Sequence, residues 1–365
     1  MKVIIAAAGT GGHINPGIAI ANEIKKHIQN ADITFIGTPR GLENDLVPRA
    51  GYKLKTIDAY GIKRKLSVSN FKNACKTLKS YKTAKKIIKQ INPDIIIGTG
   101  GYICGPVLQA GIKMKIPTML HESNAFPGMA VKLLSKKVNT ILVGFEDAKK
   151  RLPKAKNIAV TGTPTKINKI KLTEEQRQII KKQFNIKNEL PIVLVFGGSQ
   201  GAESINNCLI NLINSKANES YQIVWAVGKA NYEQVREKIK EQYNSIIVPY
   251  IYNMEEILNV ADLVVSRSGA MTITEVAKCG KPAIFIPFPN ATENHQEYNA
   301  KVLADVNAAE IILDKDLNEE NLNKMINKIV NDKDLLNKMG KNAQKISIQN
   351  VEEKIYAEIE KCYKK

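Results

Sequence analysis

Twice in this chain a short, wholly apolar run leads straight into a glycine loop. VIIAAA (3–8) leads into Gly9-Thr10-Gly11-Gly12-His13, and PIVLVF (191–196) leads into Gly197-Gly198-Ser199-Gln200-Gly201. A run with no polar alternation reads as a strand buried on both faces, the condition of a parallel sheet. A glycine loop after it lets backbone N–H groups approach an anion at a helix start. ITFIG (33–37), DIIIG (94–98), PTMLHE (117–122), TILVG (140–144) and NIAVTG (157–162) repeat the apolar pattern. Amphipathic helices separate them, the first carrying Ile18, Ile20, Ala21, Ile24 and Ile28 after Pro16. YQIVWAVG, SIIVPYI, ADLVVSRSG and KPAIFIPF continue the alternation after the second loop. Repeated βα units imply α/β architecture with two Rossmann-like, doubly wound parallel-sheet domains.

The 365 residues suffice for about two domains. We place the first at 1–164 and the second at 190–344, joined by a charged, strandless linker at 165–189. A last helix, 345–365, puts Ile348, Val351, Ile355, Ile359 and Cys362 on one face and is expected to return to the first domain. Ligands bind beyond the carboxyl ends of such strands, so two facing sheets suggest a cleft with one domain for each of two substrates.

The first loop is not a dinucleotide fingerprint. Ile14 stands where G-x-G-x-x-G needs its third glycine, and the second strand ends Phe35-Ile36-Gly37-Thr38 without the ribose-binding acid. An oxidoreductase is therefore disfavoured. Of four histidines, His13, His121 and His295 fall at or near strand-to-helix loops, while His27 reads as a solvated helix residue. Asp314-Lys315-Asp316 and Asp332-Lys333-Asp334 follow no glycine loop and read as surface charge, not as a metal site. Five scattered cysteines without a CxxC pair argue against disulfides and zinc, and fit a reducing cytosol. No run approaches the roughly 20 apolar residues of a membrane span, and the N-terminus reads as a first strand, not a signal peptide.

The stretch 261–300 reads as a nucleotide end. A strand closes in Ser266-Arg267-Ser268-Gly269, and a helix starting near Ala270 offers free N–H groups and a dipole suited to a diphosphate. Glu275, a turn into that helix, can accept hydrogen bonds from both hydroxyls of a ribose. His295, Gln296 and Asn299 follow the next strand, where amides suit sugar hydroxyls or a plain helix cap.

GTGGHINPG, GTGGYICGP (98–106), HESNAFPG (121–128), FGGSQGAESIN (196–206) and SRSGAMTITE…HQEYNA together resemble one bacterial glycosyltransferase family. Its members transfer N-acetylglucosamine from UDP-N-acetylglucosamine to undecaprenyl-pyrophosphoryl-N-acetylmuramyl-pentapeptide. The resemblance runs in order along nearly the whole chain. It implies a GT-B fold, and inverting transfer to the acceptor C4 hydroxyl to give the β-1,4 disaccharide lipid precursor of peptidoglycan. No cofactor is implied. Carried onto this chain, Ser199 touches the diphosphate, Ile251 lies beside uracil, and Ala270, Met271, Thr272, Ile273, Thr274 and Glu275 hold the nucleotide. Gln296 meets the sugar, and Thr10, Gly11, Gly12, His13 and Asn124 close over it from the first domain. Thr165 and Lys166 stand where the family has valine and arginine, so the cation is kept and its bidentate fork is lost. Ser123 replaces a glutamine, and Val131 an asparagine.

His13 is the candidate general base, since imidazole titrates near neutrality; His121 and Glu122 are alternatives. Loop N–H groups, the helix start and Ser199 stabilise the departing diphosphate without a metal.

The acceptor's lipid implies a peripheral enzyme on the cytoplasmic face of the cell membrane, with anionic inner-leaflet lipids and cell-wall synthesis proteins as partners. The chain carries +19 net charge, and no acid occurs between Asp58 and Asp94. Lys63, Arg64, Lys65, Phe71, Lys72, Leu78 and Lys79 are the candidate membrane contacts there, although the apolar stripe (Phe71, Cys75, Leu78, Tyr81, Ile88) can equally be core. Nucleic-acid binding would also explain the charge. It predicts aromatics interleaved with the basic patch, and only Phe71 and Tyr81 are present. An epimerase acting on the same sugar nucleotide is the nearest enzymatic rival.

Overall fold

The computed structural model describes residues 1–59, 68–186, 189–198 and 201–364, without the side chains of 68–77. The chain divides into two units, 1–166 with 348–365, and 167–347.

The first unit is a seven-stranded sheet in the order β3-β2-β1-β4-β5-β6-β7. Its strands are β1 (Lys2–Ala7), β2 (Asp32–Gly37), β3 (Lys53–Thr56), β4 (Ile95–Gly100), β5 (Thr118–Glu122), β6 (Thr140–Val143) and β7 (Ile158–Val160). Every pairing is parallel. The helices are α1 (Gly11–His27), α2 (Glu43–Arg49), α3 (Val68–Ile91), α4 (Cys104–Lys113), α5 (Met129–Leu134) and α6 (Glu146–Lys150). The apolar strands bury both faces, as the sequence pattern requires. Ile4, Ile96 and Leu120 pack under Val107, Leu108 and Ile88 on one side. Val3, Ile5, Ile95 and Ile97 pack under Ile14, Ala21 and Ile24 of α1 on the other.

The second unit holds α7 (Glu174–Gln183) and a parallel six-stranded sheet in the order β10-β9-β8-β11-β12-β13. Its strands are β8 (Ile192–Phe196), β9 (Gln222–Ala226), β10 (Ser245–Val248), β11 (Leu263–Ser266), β12 (Ala283–Phe285) and β13 (Ala309–Ile311). Between and after them run α8 (Glu203–Asn214), α9 (Tyr232–Lys238), α10 (Met254–Val260), α11 (Ala270–Cys279), α12 (His295–Ala304), α13 (Glu319–Val330) and α14 (Lys333–Ile346). Leu209, Leu212 and Ile213 of α8 join Leu322, Ile326 and Ile329 of α13 over Val193, Val195 and Trp225.

Two expectations change. The segment 165–189, read as a linker, is part of the second unit from residue 167 onward. Asn168 N–H donates to Glu255 at 2.7 Å, Ile170 N–H to Asn259 at 2.9 Å, and Arg177 to the Val260 carbonyl at 2.9 Å. Its charged composition hid those anchors. The expected last helix is broken in two, because Asn350 adopts a left-handed φ of 54° and α15 (Val351–Tyr363) starts after it. Val351, Ile355, Ile359 and Cys362 of α15 then bury into the first unit's core, against the face that α1 covers. His27 is exposed, as read, and its ring also stacks on Tyr356 of α15 at 3.9 Å and meets Glu23 at 2.9 Å.

Candidate functional site

In both sheets the strand order reverses beside the strand that carries a glycine loop: at β1/β4 and at β8/β11. Chains leaving neighbouring strands part there, which leaves a crevice at the carboxyl ends.

At the first crevice β1 ends in Ala7, and α1 begins at Gly11, so Gly11, Gly12 and His13 form the helix's first turn rather than a free loop. Thr10 is its N-cap residue. His13 is half-buried and its Nδ1 lies 3.1 Å from the Ala8 carbonyl oxygen. A carbonyl can only accept, so Nδ1 carries a hydrogen, and in the neutral ring the lone pair then sits on Nε2. Thr99 Oγ1 donates to the His13 carbonyl at 2.8 Å. Gly100, at the end of β4, lies directly against the ring: a Cβ there would stand 2.1 Å from His13 Cδ2. The Cys104 thiol supports Gly100, receiving its N–H at 3.3 Å; burial pushes that thiol up to about 12, so it stays protonated. GTGGYICGP is therefore the seat of His13, a role not visible in its sequence.

Glu43, which sequence reasoning passed over, is fully buried beside the same loop. Its carboxylate accepts the Gly9 N–H at 3.0 Å, and the Thr38 N–H and hydroxyl at 2.7 Å each. Burial alone would raise its pKa; the Gly9 and Thr38 donors outweigh that and hold the carboxyl below its ordinary range. The expected anion-binding role of this loop is corrected at Gly9, whose N–H is already spent on a carboxylate.

His121 does not sit in a loop. It lies within β5, 1% exposed, with Nε2 3.1 Å from the Gly162 carbonyl and Nδ1 3.4 Å from the Ser123 hydroxyl. Burial pushes its pKa down to about 4. Such a ring is a neutral structural donor, unsuited to taking a proton from an external hydroxyl. Glu122, at the end of β5, is also buried. One oxygen accepts the backbone and side-chain N–H groups of Asn124, both at 2.9 Å, and the other accepts Gly128 N–H at 2.7 Å. It orders the 123–128 loop and orients Asn124. Thr165 is buried and Lys166 exposed at the end of this unit.

At the second crevice the ends of the glycine loop are described, and Ser199 lies outside the described residues. The α11 start has Gly269 as N-cap and no acid in its first turn. The first intrahelical bond there is Ile273 N–H to Gly269 O at 3.0 Å, so the N–H groups of Ala270, Met271 and Thr272 have no acceptor within the helix. Ile273 itself is core, fully buried. Thr274 Oγ1 bonds back to Ala270 O at 2.9 Å, and Glu275 is half-buried one turn further on. Ile251 is buried between the exposed Tyr250 and Tyr252. The α12 start is tied to this loop: Ser268 donates to Gln296 O at 2.8 Å and Asn299 to Ser268 O at 3.1 Å. Gln296 Oε1 accepts Phe288 N–H at 3.0 Å. His295 Nδ1 donates to Thr292 O at 2.7 Å.

Arg267 was not foreseen as a hub. It bonds Ile286 O at 3.1 Å, Pro287 O at 3.2 Å, Ser204 Oγ at 2.8 Å and Asp314 Oδ1 at 2.5 Å. Asp314, read as surface charge, is instead the largely buried partner of this arginine. Among the described residues no cluster of His, Cys, Asp or Glu could hold a metal ion.

Of the candidate membrane contacts, Lys63, Arg64 and Lys65 lie outside the described residues, as do the side chains of Phe71 and Lys72. Leu78 is 57% exposed and Lys79 is exposed, whereas Ala84 and Ile88, further along α3, are fully buried. The apolar stripe is therefore core at its C-terminal end. Among the described residues no helix is long and apolar enough to cross a membrane.

The profile of the glycosyltransferase family 28 N-terminal domain matches residues 3–143, and that of the family 28 C-terminal domain matches 192–355. A protein of Thermoanaerobacter sp. (strain X514), named UDP-N-acetylglucosamine--N-acetylmuramyl-(pentapeptide) pyrophosphoryl-undecaprenol N-acetylglucosamine transferase, is 43% identical over 98% of both chains. The crystal structure of Acinetobacter baumannii MurG superposes with a TM-score of 0.79 at 29% identity, covering 99% of each chain. The UDP-GlcNAc 2-epimerase from Neisseria meningitidis bound to UDP-GlcNAc has a TM-score of 0.67 at 13% identity over 99% of this chain and 100% of its own, and so shares the fold alone.

Two tests follow from this geometry. Gly100→Ala forces the His13 ring out of its seat, and at φ +135° the new side chain is strained as well. In a ¹⁵N-histidine spectrum the His13 resonances should move while those of His121 stay. Unchanged His13 resonances would contradict the seat. The second concerns pH. With a folded pKa of about 4 against 6.5, His121 binds a proton in the unfolded chain first, so stability falls as pH drops from 6.5 to 4. The loss should be on the order of 3 kcal/mol. Urea unfolding across that window should show this slope, flattened in His121→Gln.

Proposed function

The chain belongs to glycosyltransferase family 28, and from that premise we propose that it transfers N-acetylglucosamine from UDP-N-acetylglucosamine to the C4 hydroxyl of undecaprenyl-pyrophosphoryl-N-acetylmuramyl-pentapeptide. What supports this reading most is the 43% identity to a protein bearing that transferase name, which spans 98% of both chains.

The donor is α-linked and the product β-linked, so a single in-line displacement inverts the anomeric carbon. His13 Nε2 takes the acceptor hydroxyl proton, the hydroxyl oxygen attacks C1, and the C1–O bond to UDP breaks. The first unit supplies this base with Thr10, Gly11, Gly12 and Asn124 around the sugar, and Thr165 and Lys166 nearby in sequence to the unit's end. The second unit holds UDP. The free N–H groups of Ala270, Met271 and Thr272 and the hydroxyl of Ser199 meet the diphosphate, which spreads the leaving charge without a metal. Glu275 takes the ribose hydroxyls, and the backbone at Ile251 meets uracil. Gln296, whose Oε1 is already given to Phe288 N–H, has its amide N–H groups left as donors to the sugar.

Incubation of the protein with labelled UDP-N-acetylglucosamine and the lipid acceptor should yield labelled lipid-linked disaccharide, unaffected by chelator. His13→Ala should lower kcat by about 10²–10⁴-fold. Release of an epimerised sugar nucleotide from donor alone, with no lipid product, would favour the epimerase instead.

The lipid acceptor also requires contact with a bilayer. We place that contact on the acid-free stretch after Asp58, including Lys63, Arg64, Lys65, Phe71, Lys72, Leu78 and Lys79, on the cytoplasmic membrane face. Each cation near an anionic surface is worth about 1 kcal/mol. Replacing Lys63, Arg64 and Lys65 with glutamate should abolish flotation with anionic liposomes at moderate salt; undiminished flotation would refute this placement.

A further inference from the structure

The Ala8–Gly9 peptide is hydrogen-bonded at both ends to functional side chains. Its carbonyl accepts His13 Nδ1–H at 3.1 Å, and its N–H donates to Glu43 Oε2 at 3.0 Å. We infer that Glu43 is a positioning residue for the proposed base, acting on His13 through this one peptide unit as a carboxylate acts on a directly bonded imidazole. The inference rests on the reading of His13 as the base.

First, hydrogen bonds in series polarise one another. A carboxylate on the N–H of an amide increases the negative charge on its carbonyl oxygen, which then holds Nδ1–H more strongly. That fixes the Nδ1–H tautomer, leaves Nε2 as the lone-pair nitrogen and stabilises the imidazolium once formed. Directly bonded carboxylate–histidine pairs have the same three effects. During transfer Nδ1 keeps its proton, Nε2 gains the one from the acceptor hydroxyl, and none passes to Glu43.

Second, the surroundings are built to hold that carboxylate. Side chains are missing where they would collide with it: a Cβ at Gly41 would stand 2.0 Å from Glu43 Oε2, and one at Gly37 2.5 Å from its Cγ. Thr38 commits both its N–H and its hydroxyl to the other oxygen. Gly9 takes a φ of +97° with nothing within 4 Å of the missing side chain, so glycine is needed there for backbone conformation alone. Leu42 N–H returns to the Gly9 carbonyl at 3.4 Å, which ties the two loops again.

Third, the charges are suitable. The donors hold Glu43 below the ordinary carboxylate range, so it is ionised at neutral pH. Other ionisable groups on the packed elements include Cys104 of α4, kept protonated by burial, Glu122 of β5, whose charge acts on that thiol, and the buried His121 beside it. On α2, Asp45 pairs with Arg49 at 2.8 Å, and on α1, Glu23 meets His27 at 2.9 Å. Arg40, in the loop before α2, pairs with Asp58.

The test uses the full-length protein labelled with ¹⁵N-histidine, whose four histidines give few enough signals to assign with His13→Gln. In the wild type, His13 should be the Nδ1–H tautomer; a dominant Nε2–H tautomer overturns the inference with no variant needed. Glu43→Gln keeps the shape, removes the charge and should lower the His13 pKa and raise the Nε2–H fraction. Its transfer kcat should fall about 10–100-fold, the acid limb of its pH profile should move to lower pH, and KM for UDP-N-acetylglucosamine should hold. Thr38→Val, which removes one donor but keeps the charge and the Gly9 bond, should leave the His13 pKa nearly unchanged. A folded Glu43→Gln protein with wild-type His13 titration and tautomer overturns the inference. If instead His13→Gln turns over normally while the Glu43 effect on the ring persists, the coupling stands and the assignment of the base fails.

Discussion

A parallel sheet has no face it can leave in water, and most of this structure follows from that constraint. Each βα connection places a helix on one face or the other, so apolar strands such as β1 and β8 are covered on both. The first unit meets the requirement only by recruiting the end of the chain. Val351, Ile355, Ile359 and Cys362 of α15 complete the face that α1 covers in part. The second unit likewise absorbs the residues after 166, where Arg177 and Asn168 bind the α10 end of its sheet. The same constraint locates the chemistry. With both faces closed, polar ligands can enter only at strand ends, and the reversal of strand order at β1/β4 and β8/β11 opens them.

Much of this was legible in the sequence because the signals were the constraint itself. Both-face apolar runs marked most strands, and glycine loops marked the two crevices. The missed strands lack that signal. β3 (KLKT) is an edge strand with exposed lysines, and β13 is three residues long. Both are recognised only by their neighbours in the sheet. Candidate functional side chains were legible when a short motif carried them, as with His13 or the α11 start. They were not when the partners came from distant elements. Nothing in the spacing from Gly9 to Glu43, or from Arg267 to Asp314, announces a hydrogen bond. No acid stands at the end of β2, but Glu43 of the next helix turns back and accepts the Gly9 N–H of the first glycine loop.

His121 illustrates the opposite error. A histidine beside a strand end looks like a candidate base on residue type alone. Burial in β5 reverses that reading: desolvation drives the ring neutral, and both nitrogens find partners inside the protein. His13 has one nitrogen satisfied and the ring only half-buried. Packing thus decides whether both nitrogens of an imidazole are engaged inside the protein, a property that no motif records.

The two glycine loops, alike in sequence plan, end in opposite electrostatic states. Gly9 gives its N–H to an ionised, buried carboxylate, so a diphosphate placed against that peptide would meet a like charge in a low-dielectric setting. At the second crevice Asp314 is paired with Arg267, and the α11 start carries no acid in its first turn. The first N–H groups of α11 have no acceptor within the helix, and its dipole favours an anion. Local charge therefore distinguishes two loops of one sequence plan: a buried carboxylate sits against the first, and the helix start beside the second has no acid in its first turn.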